Sequence, residues 1–181
     1  MWRVCTDFCV IDMNTKITKK TDMKSINSKA PVKCSKMVTI SASSERVWAT
    51  LTDIGNWSAW QTDISRSVVH GEVQPDMTFE WRSGGVKINS RLHTVEPYRN
   101  FGWTGRSLGM TAIHNWTLME SNGQTIVSVT ESMEGLMATL LRKSLNSSLD
   151  KGMHNWLTLL KQEIERTNAG HGIVQATIDN N

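Results

Sequence analysis

From Lys36 the chain alternates apolar and polar residues along KMVTIS, as a half-buried strand does, and then changes to helical spacing. In SSERVWATLTDI, Ser43 is placed as an N-cap and Glu45 falls in the first turn, while Val47, Trp48, Leu51 and Ile54 share one face. Gly55 ends this short helix, and Trp57 and Trp60 stand three apart, as on one further helical turn. Alternation resumes in ISRSVVHG, MTFEWRS, VKINSRLHTVEP, NFGWTG and the stretch Met110–Met133, with turn residues between them. After Glu134-Gly135 the period returns to about 3.6. Met137, Leu140, Leu141, Leu145, Leu149, Met153, Trp156, Leu160 and Ile164 then form one apolar stripe. The pattern predicts a closing helix from Leu136 to Arg166, ~45 Å long at ~1.5 Å per residue, with Ser147, Ser148 and Gly152 as the place for a break.

Turn chemistry sets the strand register. Asn122-Gly123 tolerates the positive φ angles of a two-residue type I′ turn. Such a turn pairs Leu118 with Val127, Trp116 with Val129 and His114 with Glu131, all on one face. A three-residue loop there would separate His114 from Glu131. Gly84-Gly85 in the same role places Trp81 opposite Ile88, Phe79 opposite Ser90 and Met77 opposite Leu92. The other face of that hairpin carries Glu80, Arg82, Lys87, Asn89, Arg91 and His93, the solvent side of an antiparallel sheet.

The expected architecture is α+β. A seven-stranded curved antiparallel sheet wraps a long C-terminal helix, with two short helices between strands 1 and 2, because the helix stripe and the apolar sheet face need each other. Seven strands at ~4.8 Å spacing make a sheet ~30 Å wide, whereas a helix is ~10 Å across, so the two can enclose a cavity. Its walls would be large residues: Phe79, Trp81, Ile88, Trp103, His114, Trp116, Glu131 and Met133 from strands, and Leu149, Met153 and Trp156 from the helix. Trp57 and Trp60 either fill the core between the short helices and the sheet or present wide rings to a flat or lipidic ligand.

The 181 residues suit one domain with tails. Residues 1–35 read as a flexible basic tail, 36–167 as the folded domain and 168–181 as a frayed C-terminal tail. Charge supports this division. Residues 1–36 carry eight Lys/Arg against three Asp, net +5, and the remainder carries twelve against fourteen, net −2. A slightly acidic fold is not that of a nucleic-acid binder, which concentrates basic groups on its surface. No apolar run approaches the ~18 residues needed to span a bilayer, so membrane insertion is not expected. The N-terminus, with Asp7 and Asp12 and no small-residue cleavage site, makes a poor secretory signal. The expected compartment is cytoplasmic. Met13 is a second candidate start that would leave residues 1–12 outside the native protein.

Cys5, Cys9 and Cys34 lack the spacing and partner His of a zinc site and read as reduced thiols, so neither a metal nor a cofactor is expected. No GxSxG elbow, phosphate loop or HExxH occurs. The chemistry therefore rests on His114 and Glu131. They are a core pair satisfying each other, a polar anchor for an apolar ligand, or an acid–base couple abstracting a proton beside a carbonyl.

The order of elements, together with ISASSERVWATLTD, GNWSAWQTDI, HNWTL and TESMEG, resembles the SRPBCC or START-like superfamily of the helix-grip fold, most closely its polyketide cyclase/dehydrase and lipid-transport branch. The resemblance spans Lys36 to Arg166 and implies a ligand cavity between sheet and long helix. Ser44 stands where many members have proline. The expected function is binding or transport of an apolar, lipid- or polyketide-like molecule. The alternatives are a metal-free cyclase or dehydratase using His114/Glu131, and a protein-interaction module like the superfamily's chaperone-activating branch, for which the partner is a protein.

Overall fold

The computed structural model of the protein describes residues 23–178, with side chains as far as Arg166. Cys5, Cys9, Met13, most of the N-terminal tail and the last three residues lie outside the described residues. Strand β1 (Val32–Ile40) is followed by α1 (Ser44–Thr52), a 3-10 turn (Ile54–Asn56) and α2 (Trp57–Trp60). Then come β2 (Ile64–His70), β3 (Thr78–Ser83), β4 (Val86–Glu96), β5 (Asn100–Ser107), β6 (Met110–Ser121) and β7 (Gln124–Glu134). Helices α3 (Leu136–Leu140) and α4 (Arg142–Ile178) close the chain. The seven strands form one antiparallel sheet in the order β1-β7-β6-β5-β4-β3-β2, curved around α4 as a helix-grip fold.

Both hairpin registers follow from their turns. Asn122 and Gly123 have φ of 52° and 74°, and Gly84 and Gly85 have 54° and 82°. His114 pairs with Glu131, Trp116 with Val129 and Leu118 with Val127. Trp81 pairs with Ile88 and Phe79 with Ser90. The capping read from the sequence is also present, since the Ser43 hydroxyl accepts from the Arg46 amide at 3.3 Å. Glu120, at the end of β6, accepts the Ser44 amide and hydroxyl at 2.7 Å each, which holds its carboxyl below the usual range.

Three boundaries differ from the pattern-based expectation. β1 begins at Val32 rather than Lys36, because Lys36 takes an inward-side position and pairs with Asp150 of α4 at 2.7 Å, which masks the alternation. The closing helix does not break at Ser147–Gly152. It breaks at Leu141, whose backbone (φ −102°, ψ 23°) is not helical. α4 then runs on to Ile178, beyond the boundary set at residue 167. As a result only the second half of the stripe is core: Leu149, Met153, Trp156, Leu160 and Ile164 are buried, whereas Met137, Leu140 and Leu141 are exposed.

The outer sheet face is not all solvent. Residues 23–30, assigned to the flexible tail, lie across it. The Lys24 carbonyl accepts from Asn115 Nδ2 at 2.8 Å, and the Asn27 amide donates to Ser132 Oγ at 3.0 Å. His93 sits at a bulge of β4 between Leu92, which pairs with Trp103, and Thr94, which pairs with Gly102 of β5. A Cβ on Gly102 would lie 2.6 Å from both the His93 ring and Asn115 Oδ1, so only glycine fits beneath them. Burial, reinforced by the Lys24 ammonium, lowers the His93 pKa from 6.5 to about 4. Between those values the unfolded chain binds a proton that the native ring refuses, so stability is full above the unfolded pKa and declines as pH falls through the window. Allowing for solvent screening of a half-buried ring, the loss is about 1–2 kcal/mol. Urea midpoints measured at about pH 7 and about pH 4.5 should show it, and His93→Gln should flatten the difference. An undiminished pH dependence in that variant would assign the effect to other groups.

Candidate functional site

Small residues on both walls leave a space between sheet and helix. On β5 and β6, Gly105 pairs with Ala112, and on α4, Ser148 and Gly152 face the same hollow. The cavity measures about 310 Å³, at the lower end of the range for small-molecule sites, and is open at one side. Its lining is mostly apolar.

Nine of the thirteen residues picked out from the sequence line it: Trp81, Ile88, Trp103, His114, Glu131, Met133, Leu149, Met153 and Trp156. The other four do not. Trp57, Phe79 and Trp116 are completely buried behind those lining rings. Trp57 contacts Trp81, Trp103 and Trp156 at centroid distances of 5.8, 5.6 and 5.1 Å, Phe79 meets Trp103 at 5.8 Å, and Trp116 meets Trp156 at 5.7 Å. Trp60 is half-buried against Trp156 at 5.6 Å. Trp57 and Trp60 therefore pack against rings that line the cavity and do not line it themselves. Sequence reasoning missed Gly105, Ala112, Ser148 and Gly152, because a void is made by absent side chains. The register could have shown one pair, since Gly105 and Ala112 fall on the inward face.

The polar couple is set into this apolar wall. His114 Nδ1 lies 2.5 Å from a Glu131 carboxylate oxygen, and both residues are less than a tenth exposed. The carboxylate only accepts, so in the neutral imidazole Nδ1 carries the shared proton and Nε2 keeps a lone pair. The ring is held flat against Trp103, with centroids 4.3 Å apart and planes 9° from parallel. That stack and the carboxylate fix its orientation. Among the described residues, His114 Nε2 and the indole Nε1 of neighbouring Trp116 are buried without a hydrogen-bond partner. An acceptor and a donor therefore stand unmet on adjacent inward positions of β6, where each costs free energy until a polar group reaches it.

Two other features bear on the chemistry. Cys34, opposite Glu131 on β1, donates its thiol towards Asp150 at 3.7 Å, and burial pushes its pKa up. It stays a thiol. A hollow of about 540 Å³ on the outer sheet face is lined by Lys24, Glu80, Arg91, Thr104 and Arg106. Glu80 pairs with Lys87 at 2.9 Å and Arg91 with Asp76 at 3.6 Å, so much of its charge is already matched. Among the described residues no cluster of three His, Cys, Asp or Glu is placed to hold a metal, and no helix is long and apolar enough to cross a membrane.

The sequence profile of the polyketide cyclase/dehydrase and lipid transport family matches residues 31–162. Solved structures share the fold at low identity. A hypothetical protein from Helicobacter pylori is 16% identical, with a TM-score of 0.69 over 79% of this chain and 98% of its own. An aromatase/cyclase from a Streptomyces species is 15% identical, with a TM-score of 0.67 over 74% of this chain and 93% of its own. A START superfamily protein from Mycobacterium smegmatis is 12% identical, with a TM-score of 0.60 over 75% and 98%. No curated protein sequence matches the chain.

Proposed function

The chain belongs to the polyketide cyclase/dehydrase and lipid transport family, and we propose that it binds or carries an apolar small molecule in the cavity between its sheet and α4. The observation that carries this reading is an apolar cavity of about 310 Å³ with one polar couple in its wall, His114 and Glu131. Burying ~300 Å² of ligand surface at ~25 cal/mol/Å² supplies roughly 7 kcal/mol, and association costs of ~4 kcal/mol leave binding of about millimolar strength. The unmet Nε2 of His114 favours a ligand bearing a hydroxyl that donates to it.

Native mass spectrometry of the purified protein tests the reading directly. A co-purifying apolar ligand is expected, and a ligand-free protein that also fails to bind N-phenyl-1-naphthylamine would overturn it. The polar anchor has its own test, which compares 1-naphthol with naphthalene. His114→Phe should lower the preference for the hydroxylated ring by about tenfold, the value of one hydrogen bond of ~1.4 kcal/mol, while leaving naphthalene binding nearly as it was. An unchanged preference would remove His114 from the site.

The same couple supports a second reading, a cyclase or dehydratase step. Glu131, 2.5 Å from Nδ1, orients the His114 ring with Nε2 free towards the cavity side, the arrangement a general base uses. Turnover of a test polyketide that survives both His114→Ala and Glu131→Gln would exclude this mechanism and leave the carrier.

A further inference from the structure

The rim of the cavity is unusually apolar for a surface. Leu136 and Leu140 of α3 are 73% and 67% exposed, Leu108 in the β5–β6 turn is 66% exposed, and Met137 and Leu141 are exposed beside them. These residues form one patch, because Gly135 lies so close to the turn that a Cβ on it would come 2.5 Å from the Gly109 carbonyl oxygen. The patch adjoins the cavity, since Leu108, Met110 and Leu145 line it.

Two features of the rim work against local stability. Leu108 adopts φ of 48°, the left-handed region that a leucine avoids and that Asn122 fills in the equivalent turn of the next hairpin. Its side chain, 66% exposed, receives little burial in return. Arg142 and Lys143 open α4 with no acidic residue in its first turn, the charge sign that a helix N-terminus disfavours. Both are exposed, and residues 135–149 contain no Asp or Glu. A strained leucine, exposed apolar neighbours and two cations without an ion pair among the described residues call for a partner that accepts both kinds of group. A bilayer surface does, taking leucines into its acyl boundary and cations among its phosphates.

We propose that this rim docks on an anionic lipid bilayer, so that the cavity opens onto the membrane surface rather than into water. Exchange of a ligand across that surface rests on the carrier reading above; the docking itself does not. α3 is then a contact helix, separated from α4 by the break at Leu141 and carrying the exposed Leu136 and Leu140.

Co-sedimentation of the full chain with vesicles of phosphatidylcholine, alone and mixed with phosphatidylserine, tests this. The wild type is expected to pellet with the mixed vesicles, less so as salt is raised. The double variant Leu136→Glu/Leu140→Glu should lose binding at least ~10-fold, and Arg142→Glu/Lys143→Glu should abolish the preference for phosphatidylserine. Absence of wild-type binding, or binding that neither variant changes, overturns the proposal. So does sedimentation velocity showing that the leucines hold a dimer while vesicles are ignored. N-phenyl-1-naphthylamine titration without vesicles separates the two readings, since the leucine variant should bind the probe as the wild type does. Vesicle binding without probe binding would remove the carrier and keep the docking surface, and the reverse would remove only the docking surface.

Discussion

In Gly152→Leu, binding of N-phenyl-1-naphthylamine should fall roughly a hundredfold while the protein remains folded. Gly152 lies on α4 between Leu149 and Met153 and lines the cavity. Apart from its chain neighbours and its own helix backbone, no atom lies within 4 Å of the position its Cβ would take. A leucine there projects into open space. Glycine inside a helix costs ~1 kcal/mol relative to alanine, so the substitution should leave the thermal midpoint unchanged or raise it. For the ligand the consequence is the opposite. Displacing ~100 Å² of contact at ~25 cal/mol/Å² removes ~2.5 kcal/mol, close to two orders of magnitude in Kd. Probe affinity equal to that of the wild type in a folded Gly152→Leu protein would place the binding site elsewhere.

Trp57→Ala should cost stability rather than binding specificity, by about 3–5 kcal/mol. The indole is completely buried and meets Phe79, Trp81, Trp103 and Trp156 within 5.8 Å. Its Nε1 donates to the Leu51 carbonyl at 2.9 Å and so ties α1 to the aromatic cluster. Removing it leaves a void behind the rings that line the cavity, and an unpaired carbonyl. Urea denaturation measures the effect. Trp60→Ala, on a half-buried ring, should cost distinctly less. A loss below ~1 kcal/mol for Trp57→Ala would mean that its space is readily refilled and that the cluster is not the wall it is taken to be.

Those two residues show where pattern reading succeeds and where it stops. Trp57 could be recognised from its spacing as large and inward-facing, yet core and ligand contact give the same spacing. Only packing against four rings separates them. Gly152 looked like a helix break because glycine is a weak helix former, but Leu149, Met153 and Trp156 bury around it and carry the helix through. By spacing alone the exposed leucines of α3 continue the core stripe. Their spacing is the same on both sides of Leu141, and a break in the helix there leaves no trace in hydropathy.

What the sequence by itself determined is local and periodic: the strands, the capped first helix, both hairpin registers, and through them the opposition of His114 and Glu131. These follow from interactions between residues close along the chain, in which a two-residue turn and an alternation of period two admit one pairing. The tertiary structure alone decided the cavity's volume, the break at Leu141, the cover of residues 23–30 over His93, and which tryptophans face the hollow. Each depends on elements distant in sequence meeting in space, and on where side chains are small or missing, which no periodicity records.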